Sequence, residues 1–373
     1  MENGIVSALL IIVIVQSAAL VVYEPPHKIT DIEPYTSAAL KKQATLPTAI
    51  TLPPPPPPPP TTTAPPPTPA QPTTPPPPTP PPPVNLLWTY ATKGDVNSVG
   101  ISSNGEYVAA ASSDFRVYLL NKTGGLLWNY KLQGGARDVV ITPDGKTIIA
   151  ASYLTPDGYL YSFNNRGYKT WSRKVPKLMG VDITSDKTTI AAASTDENIY
   201  AYNGAGGKKW EYKTQESAFG VWDVASSANG DYIAAGADDR NVYLLDSKGN
   251  MLWKVNPGEK SFIYGVSISK SGEYIAAVAQ DRTLYVYDKS GNMLWSYVTG
   301  DSNNGVAISP DDKYVALGSW DDNLYIFNIQ GGLVWQSRLG GNVNRLAFSP
   351  DSKYLAAASS DDNVYFYELN LGT

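Results

Sequence analysis

The sequence predicts an all-β fold, a seven-bladed β-propeller, from two observations. Seven tryptophans recur at intervals of 39 to 43 residues along the last three quarters of the chain. Between them lie short runs rich in β-branched and aromatic residues, without the 3.6-residue periodicity of a helical array. The tryptophans are Trp88, Trp128, Trp171, Trp210, Trp253, Trp295 and Trp335. A repeat of this length built only from strand-like runs is typical of a propeller blade.

Each repeat contains four predicted strands. In the fifth copy the strand-like runs cover residues 251–254, 264–269, 273–279 and 283–288. Turn residues separate them, such as the glycine of Lys270-Ser271-Gly272, which supplies the positive φ that a tight hairpin needs. The same order recurs seven times, which predicts seven blades of four strands.

The order of the runs also predicts how the ring closes. The chain enters the repeats on a Trp-containing run, residues 86–90, and leaves on residues 363–368. In every other repeat the run equivalent to 363–368 is followed by a Trp-containing run. We therefore expect 86–90 to complete the last blade by pairing with 363–368, which removes two exposed sheet edges.

Composition narrows the function classes. The 373-residue chain has a net charge of −5, no cysteine and one histidine, His27, which lies outside the repeats. A nucleic-acid-binding domain needs a basic face, thiolate sites need cysteine, and imidazole bases need histidine. We expect no nucleic-acid partner, no cofactor, no metal and no catalytic residues.

The chain divides into four predicted segments: a hydrophobic helix in residues 1–23, a polar connector in 24–46, a Pro/Thr-rich stalk in 47–84 and the propeller in 85–373. Ile5–Val22 is almost continuously apolar and, at about 1.5 Å per residue, reaches roughly 27 Å. Three interpretations stay open: a signal anchor, a cleaved secretory signal, and a pilin-like assembly helix, because Asn3-Gly4 before the apolar run resembles an archaeal pilin leader. All three predict export.

The stalk prediction comes from proline. Residues 47–83 hold 22 of the 31 prolines, and proline favours an extended polyproline II helix. At about 3.1 Å per residue, residues 53–83 would reach roughly 95 Å. Within the propeller, Asn121-Lys122-Thr123 is a sequon, so Asn121 is the predicted N-glycosylation site.

The repeats resemble those of WD-repeat and pyrroloquinoline-quinone-type propellers found in surface proteins of archaea and bacteria. Shared features are a Ser309-Pro310-Asp311 turn and a small-residue strand, Ala109-Ala110-Ala111-Ser112. The Gly-His and Trp-Asp dipeptides of WD repeats are absent, and the Trp on the outer strand is more similar to the quinone type. The resemblance implies a propeller fold and leaves function open. It also makes a quinone-dependent exported enzyme an alternative, although the vicinal cysteine pair of such enzymes is missing.

Aspartate recurs at one turn in six repeats. A ring of carboxylates could bind a cation, but a residue needed in nearly every blade favours a structural role, accepting backbone N–H bonds in a tight turn. The predicted turn aspartates are Asp114, Asp196, Asp238, Asp281, Asp321 and Asp361.

Positions at which the blades differ predict the binding face. One such position lies two residues before the valine typical of the inner strand. The third, fourth and fifth repeats carry Met179, Trp222 and Tyr264 there, and the second carries Arg137. The turn between the second and third strands adds Phe115, Tyr153 and Trp320 on the same predicted face. Aromatic residues beside an arginine are typical of a protein or glycan contact surface. The alternative is that several of them fill the central channel.

The sequence thus predicts an extracellular, cell-surface recognition or adhesion module without enzymatic activity. Its partner is a protein or a glycan, and it is attached either to a membrane through the N-terminal helix or to like subunits if that helix is pilin-like. A structural subunit of a pilus-like filament, with the propeller as outer domain, is the first alternative.

Overall fold

A computed structural model describes residues 83–154, 157–214, 220–258 and 261–371. These residues form seven four-stranded antiparallel sheets, which confirms the seven-bladed propeller. The predicted N-terminal helix, the polar connector and all but the last two residues of the predicted stalk lie outside the described residues. Within the described ranges, no helix has the length and hydropathy needed to span a membrane.

In blades 1 to 6 the strands follow one another in chain order from the innermost to the outermost position, and in blade 7 the outermost strand is the first of the domain. Blade 1 contains β2 (Val96–Ile101), β3 (Tyr107–Ser112), β4 (Arg116–Asn121) and β5 (Leu126–Lys131). Blade 2 contains β6 (Gly135–Ile141), β7 (Thr147–Tyr153), β8 (Asp157–Asn164) and β9 (Lys169–Pro176). Blade 3 contains β10 (Leu178–Ile183), β11 (Ile190–Ser194), β12 (Asn198–Tyr202) and β13 (Lys208–Lys213). A short 3-10 turn, Ser103–Gly105, links β2 to β3.

The remaining blades repeat this arrangement. Blade 4 contains β14 (Val221–Ser226), β15 (Tyr232–Ala237), β16 (Val242–Asp246) and β17 (Met251–Val255). Blade 5 contains β18 (Ile263–Ile268), β19 (Tyr274–Ala279), β20 (Thr283–Asp288) and β21 (Met293–Val298). Blade 6 contains β22 (Asn303–Ile308), β23 (Tyr314–Ser319), β24 (Asn323–Asn328) and β25 (Leu333–Arg338). Blade 7 contains β26 (Val343–Phe348), β27 (Tyr354–Ser359), β28 (Asn363–Leu369) and β1 (Val84–Ala91).

The ring closes as predicted. Strand β1 pairs antiparallel with β28, from Val84 opposite Leu369 to Ala91 opposite Asn363. The indole of Trp88 stacks on Phe366 with ring centroids 4.8 Å apart. The first strand of the domain is therefore the outer strand of the last blade, and the pairing leaves neither β1 nor β28 unpaired along the edge where they meet.

The core lies between the blades, which explains the small residues of the second strands. On β3, Ala109 and Ala111 pack with Val139 of blade 2, whereas Ala110 packs with Phe366 of blade 7. All three alanines are completely buried. Because each sheet is covered on both faces, its middle strands read as continuous apolar runs rather than alternating ones.

The tryptophan of each outer strand contacts the neighbouring blade. The indole N–H of Trp253, for example, donates to the carbonyl oxygen of Lys289 in the third–fourth turn of blade 5, at 2.9 Å. In the same turn Gly291 has a φ of +84° and lies against the Trp253 ring. Five further indoles donate to the equivalent turn, namely those of Trp88, Trp128, Trp171, Trp210 and Trp295. Trp335 faces blade 7, whose third and fourth strands, β28 and β1, are not joined by a turn, and packs edge-on against Tyr367.

The recurring aspartate holds the second–third turn, which is the structural role that the sequence predicted. The carboxylate of Asp321 accepts the backbone N–H of Asn323 at 3.0 Å and the hydroxyl of Tyr325 at 2.8 Å. Four other predicted aspartates accept the equivalent two bonds: Asp114, Asp196, Asp281 and Asp361. Burial, followed by the bond to Asp361, raises the pKa of Tyr365 to about 12.

For blade 4 the prediction was one residue off. Asp239, not Asp238, accepts the Asn241 N–H and the Tyr243 hydroxyl. The error arose because two aspartates are adjacent, and the turn requires the carboxylate two residues before the N–H that it accepts and four before the tyrosine. Asp238 is 4% exposed and precedes the turn aspartate.

Candidate interaction site at the mouth of the ring

The upper face of the ring is the one at which the inner strands begin. The connections between blades and the second–third turns lie on it, because successive strands within a blade are antiparallel. The first–second and third–fourth turns form the opposite, lower face. The predicted binding residues on inner strands and second–third turns therefore share one face, as expected.

Every inner strand carries a β-bulge at the position that the sequence singled out. The pairing register shifts between Ala136 and Asp138, for example, so that Arg137 has no partner on β7. The same shift occurs in all seven blades and leaves out Asn97, Arg137, Met179, Trp222, Tyr264, Asn304 and Asn344. A bulge re-aims a side chain away from the regular sheet faces and is frequent beside functional sites.

The seven bulge residues do not all contribute to a free surface. The side-chain amides of Asn97 and Asn344 donate to the carbonyl oxygens of Ala136 and Val96, at 2.8 and 2.9 Å, and so tie each blade to the next. Met179 is only 7% exposed, which makes its place in the predicted contact surface wrong. Burial of an unbranched, adaptable apolar side chain is favourable, and the Met179 side chain is accordingly buried in blade 3.

Three predicted residues form an aromatic trio, defined as Trp222, Tyr264 and Trp320. The rings of Trp222 and Tyr264 meet edge to face at 5.6 Å, and those of Tyr264 and Trp320 stack at 6.5 Å. All three are partly exposed. The indole N–H groups of both tryptophans are buried and have no acceptor among the described residues. The trio spans blades 4, 5 and 6 and offers a partly exposed aromatic surface, whereas its two unpaired N–H donors are buried.

The connection from blade 1 to blade 2 is bordered by the other three predicted residues, Phe115, Tyr153 and Arg137. The backbone N–H of Leu132 donates to the carbonyl oxygen of Phe115 at 2.8 Å, and Gly134 lies directly against the Tyr153 carbonyl. This connection leads to Arg137. Phe115 is 46% exposed and has a φ of +71°. A bulky residue is rare in that conformation, and an exposed aromatic there gains little from packing, which favours a contact role.

A buried ion bridge crosses the mouth just beneath these residues. Arg345 of β26 in blade 7 donates two hydrogen bonds of 2.6 Å to the carboxylate of Asp223 in blade 4. Its guanidinium also lies 3.9 Å from Asp138 of blade 2. The Asp223 side chain is 1% exposed. Burial raises the pKa of Asp223, and the guanidinium of Arg345 acts against that rise. Although burial opposes its charge, Asp223 and Asp138 raise the pKa of Arg345 above its ordinary value.

The carboxylates also satisfy the free edges of neighbouring inner strands. Asp138 accepts the Val181 N–H at 2.8 Å, and Asp223 accepts the Val266 N–H at 2.8 Å. Asp182 accepts both the N–H and the hydroxyl of Ser226. Inner strands have no partner on the channel side, so their N–H groups need such acceptors.

Sequence reasoning missed the ion bridge. The sequence did contain a signal for it at the position one residue after the bulge. Most repeats have serine or glycine there, but three have the charged residues Asp138, Asp223 and Arg345. Opposite charges at one repeat position predict an interaction across the ring, but only if the ring geometry brings those blades together.

Below the bridge lies a central cavity of about 370 Å³. Its lining runs from the level of Arg345 and Asp223 down to prolines that follow the inner strands at the lower face, namely Pro143, Pro310 and Pro350. The bridge therefore forms the upper end of this cavity, and it separates the cavity from the residues of the upper face.

Asn121 lies on the lower face, in the third–fourth turn of blade 1. Its side-chain oxygen accepts the backbone N–H groups of Thr123 and Gly125 and the Thr123 hydroxyl. Asn164, Asn203 and Asn328 cap the same turn in other blades. Turn chemistry thus accounts for an asparagine here, and its glycosylation stays a prediction.

Comparison with known proteins gives several partial matches to propeller families. Residues 147–266 match the family described as the lambda-carrageenase beta-propeller domain. Residues 306–373 match the anaphase-promoting complex subunit 4 WD40 domain. Residues 85–121 and 252–288 match the WD domain, G-beta repeat. These segments are similar to propeller and WD repeats. No curated protein matches the chain. The matches support the WD-repeat part of the resemblance, and the quinone-type part stays a prediction.

Proposed function

We propose that this propeller is a non-catalytic interaction module whose protein partner docks on the upper face over the aromatic trio. The observation that carries the proposal is the trio itself: two tryptophans and a tyrosine held edge to face and stacked, partly exposed, at the mouth of the ring. Tryptophan and tyrosine dominate the residues that contribute most to protein–protein binding. WD-type propellers commonly bind proteins on one face, and parts of this chain are similar to them.

The proposal extends to location. We place the module outside the cell, held on the proline-rich spacer. The support is the apolar run Ile5–Val22 and the 22 prolines of residues 47–83. N-terminal sequencing of the mature protein distinguishes the alternatives. A terminus at Ile5 supports assembly into a filament, one at Leu20 supports secretion, and an intact Met1 supports a membrane anchor.

Replacing both tryptophans of the trio should remove binding while leaving the domain folded. We expect the double variant Trp222→Ala/Trp320→Ala to lose at least about 100-fold in affinity for peptides selected on the wild-type propeller from a random 12-residue display library, because two hot-spot residues each contribute roughly 2 kcal/mol. The melting temperature should fall by no more than about 5 °C, since the ring contacts contribute about 1 kcal/mol each. Titration calorimetry and differential scanning calorimetry measure the two effects.

Trp253→Ala is the matched control, because Trp253 donates a hydrogen bond to a neighbouring blade and lies outside the trio. It should lower the melting temperature and leave peptide affinity unchanged. If the double variant instead fails to fold, the trio belongs to the core, and if it binds as the wild type does, the partner docks elsewhere.

A further inference from the structure

Arg137 differs from the bulge residues that hold the ring together. Its equivalents Asn97 and Asn344 donate hydrogen bonds to the next blade. Among the described residues, no hydrogen bond or ion pair joins the Arg137 side chain to any partner. A guanidinium carries five N–H donors and no acceptor, so this side chain has five donors available at the mouth.

The carboxylates near Arg137 are already occupied. Arg345 binds both oxygens of Asp223, and Asp138 accepts the hydroxyl of Ser98 at 2.6 Å as well as backbone N–H groups. Arg137 therefore stands beside a second guanidinium without a carboxylate of its own. Burial, and then the charge of Arg345, lower the pKa of Arg137. The free protein thus holds this charge at a cost.

Two other side chains at the mouth also have hydrogen-bond donors without acceptors. The indole N–H groups of Trp222 and Trp320 are buried and lack acceptors among the described residues. Because these two N–H groups are buried, a ligand would meet the exposed parts of the aromatic rings and the donors of Arg137. A ligand that fits must supply acceptor oxygens next to apolar surface.

We propose that the partner presents a carboxylate to Arg137, either an aspartate or glutamate side chain or a C-terminal carboxylate. An apolar residue beside this carboxylate packs on the aromatic trio. This inference rests on the proposed function. A planar carboxylate matches the guanidinium fork in a bidentate pair. The two guanidinium groups of Arg137 and Arg345 lie near three carboxylates, those of Asp138, Asp182 and Asp223. A phosphate dianion adds twice as much negative charge beside these carboxylates as a carboxylate does, and this difference favours carboxylate.

The test uses the full chain and the peptides selected from the random 12-residue library. The expected result is enrichment of an acidic residue beside an apolar or aromatic one. Arg137→Gln should weaken these peptides at least about tenfold, as should Asp→Asn or Glu→Gln within the peptide, since a charge-assisted hydrogen bond is lost in each case. Combining both changes should cost little more than either alone. Arg137→Lys, which keeps the charge without the fork, should recover binding only in part.

The matched control is Arg166→Gln, an exposed arginine on the lower face, which should leave peptide affinity unchanged. Selected peptides that need the trio but contain no acidic residue, or that bind Arg137→Gln as tightly as the wild type, overturn the carboxylate proposal and leave the proposed function intact. Preferential binding of phosphopeptides or of uronic-acid oligosaccharides over carboxylate peptides also overturns it. Peptide binding that ignores both Arg137 and the trio overturns both proposals.

A second readout separates binding from structure without any ligand. Because Arg137 has no partner within the described residues, Arg137→Gln should leave the melting temperature unchanged or raise it. A structural role predicts the opposite. A clear fall in melting temperature therefore assigns Arg137 to the framework of the ring and overturns the proposal.

Discussion

Arg345→Ala is expected to lower the free energy of unfolding by about 3–5 kcal/mol at neutral pH, because it leaves the Asp223 carboxylate buried without its partner. Asp223 is 1% exposed and accepts both guanidinium bonds at 2.6 Å. The Val266 N–H is the other bond that it keeps. Urea denaturation followed by tryptophan fluorescence measures the loss, with the slope of the transition checked for two-state behaviour.

The pH dependence of this loss identifies its cause. Burial raises the pKa of Asp223, and without Arg345 the main group that opposes that rise is lost, while the smaller effect of the Val266 N–H bond remains. A carboxyl group whose folded pKa is raised stabilises the folded state only while it is protonated, so this contribution is present at low pH and disappears as pH rises through the folded pKa. The difference between variant and wild type should accordingly be smaller near pH 4 than at pH 8.

Two companion variants complete the test. Asp223→Asn, which keeps an oxygen for the Val266 N–H, should cost less than Arg345→Ala, because Arg345 is 20% exposed and can turn to Asp138 at 3.9 Å. Arg345→Met combined with Asp223→Asn should recover part of the loss, since Asp223 then carries no buried charge, whereas Asp138 still loses the Arg345 guanidinium at 3.9 Å. A cost for Arg345→Ala that is independent of pH would show that lost packing, rather than the carboxylate, is responsible.

The blade count and the closure were predictable from sequence because each depends on local requirements that recur in nearly every blade. Each third–fourth turn needs a positive-φ glycine against the tryptophan of the preceding blade, as Gly291 lies against Trp253. Six of the blades use an aspartate in the second–third turn to accept two bonds. Requirements of this kind recur with the period of the fold and are visible as spacing in the chain.

The mouth of the ring was predictable only in part. The bulge position could be found because it is the same in every repeat, which placed Trp222 and Tyr264 on the correct face. Whether a side chain at that position is exposed depends on its neighbours in other blades, and Met179 is buried where Trp222 is not. The pairing of Arg345 with Asp223 joins residues 122 positions apart. The two residues share one repeat position, but the period does not say which blades pair, since the contact exists only where three particular blades meet across the channel.

Deleting residues 85–91 is expected to destabilise the domain by more than about 5 kcal/mol, which is comparable to the total stability of many domains. The deletion removes nearly the whole of β1, including Trp88, which stacks on Phe366 and donates to the Lys122 carbonyl in blade 1. Trp88 is only partly buried, so its loss contributes less than the roughly 3–5 kcal/mol of a fully buried tryptophan, and the loss of the β1–β28 hydrogen bonds adds to it. The deletion also exposes the edge of β28, which is a template for aggregation. Differential scanning calorimetry and light scattering measure the two consequences.

The matched truncation removes the other end of the chain. Ending the protein at Leu369 leaves β28 whole and removes two described bonds, from the Asn370 N–H to Pro83 and from the Tyr314 hydroxyl to Leu371. At about 1 kcal/mol for a typical hydrogen bond, the loss should be roughly 2 kcal/mol. Equal melting temperatures for the two truncations would contradict closure through β1. A synthetic peptide of residues 84–91 added to the first truncation decides the point directly, because the open edge of β28 should bind it and recover stability in proportion to peptide concentration.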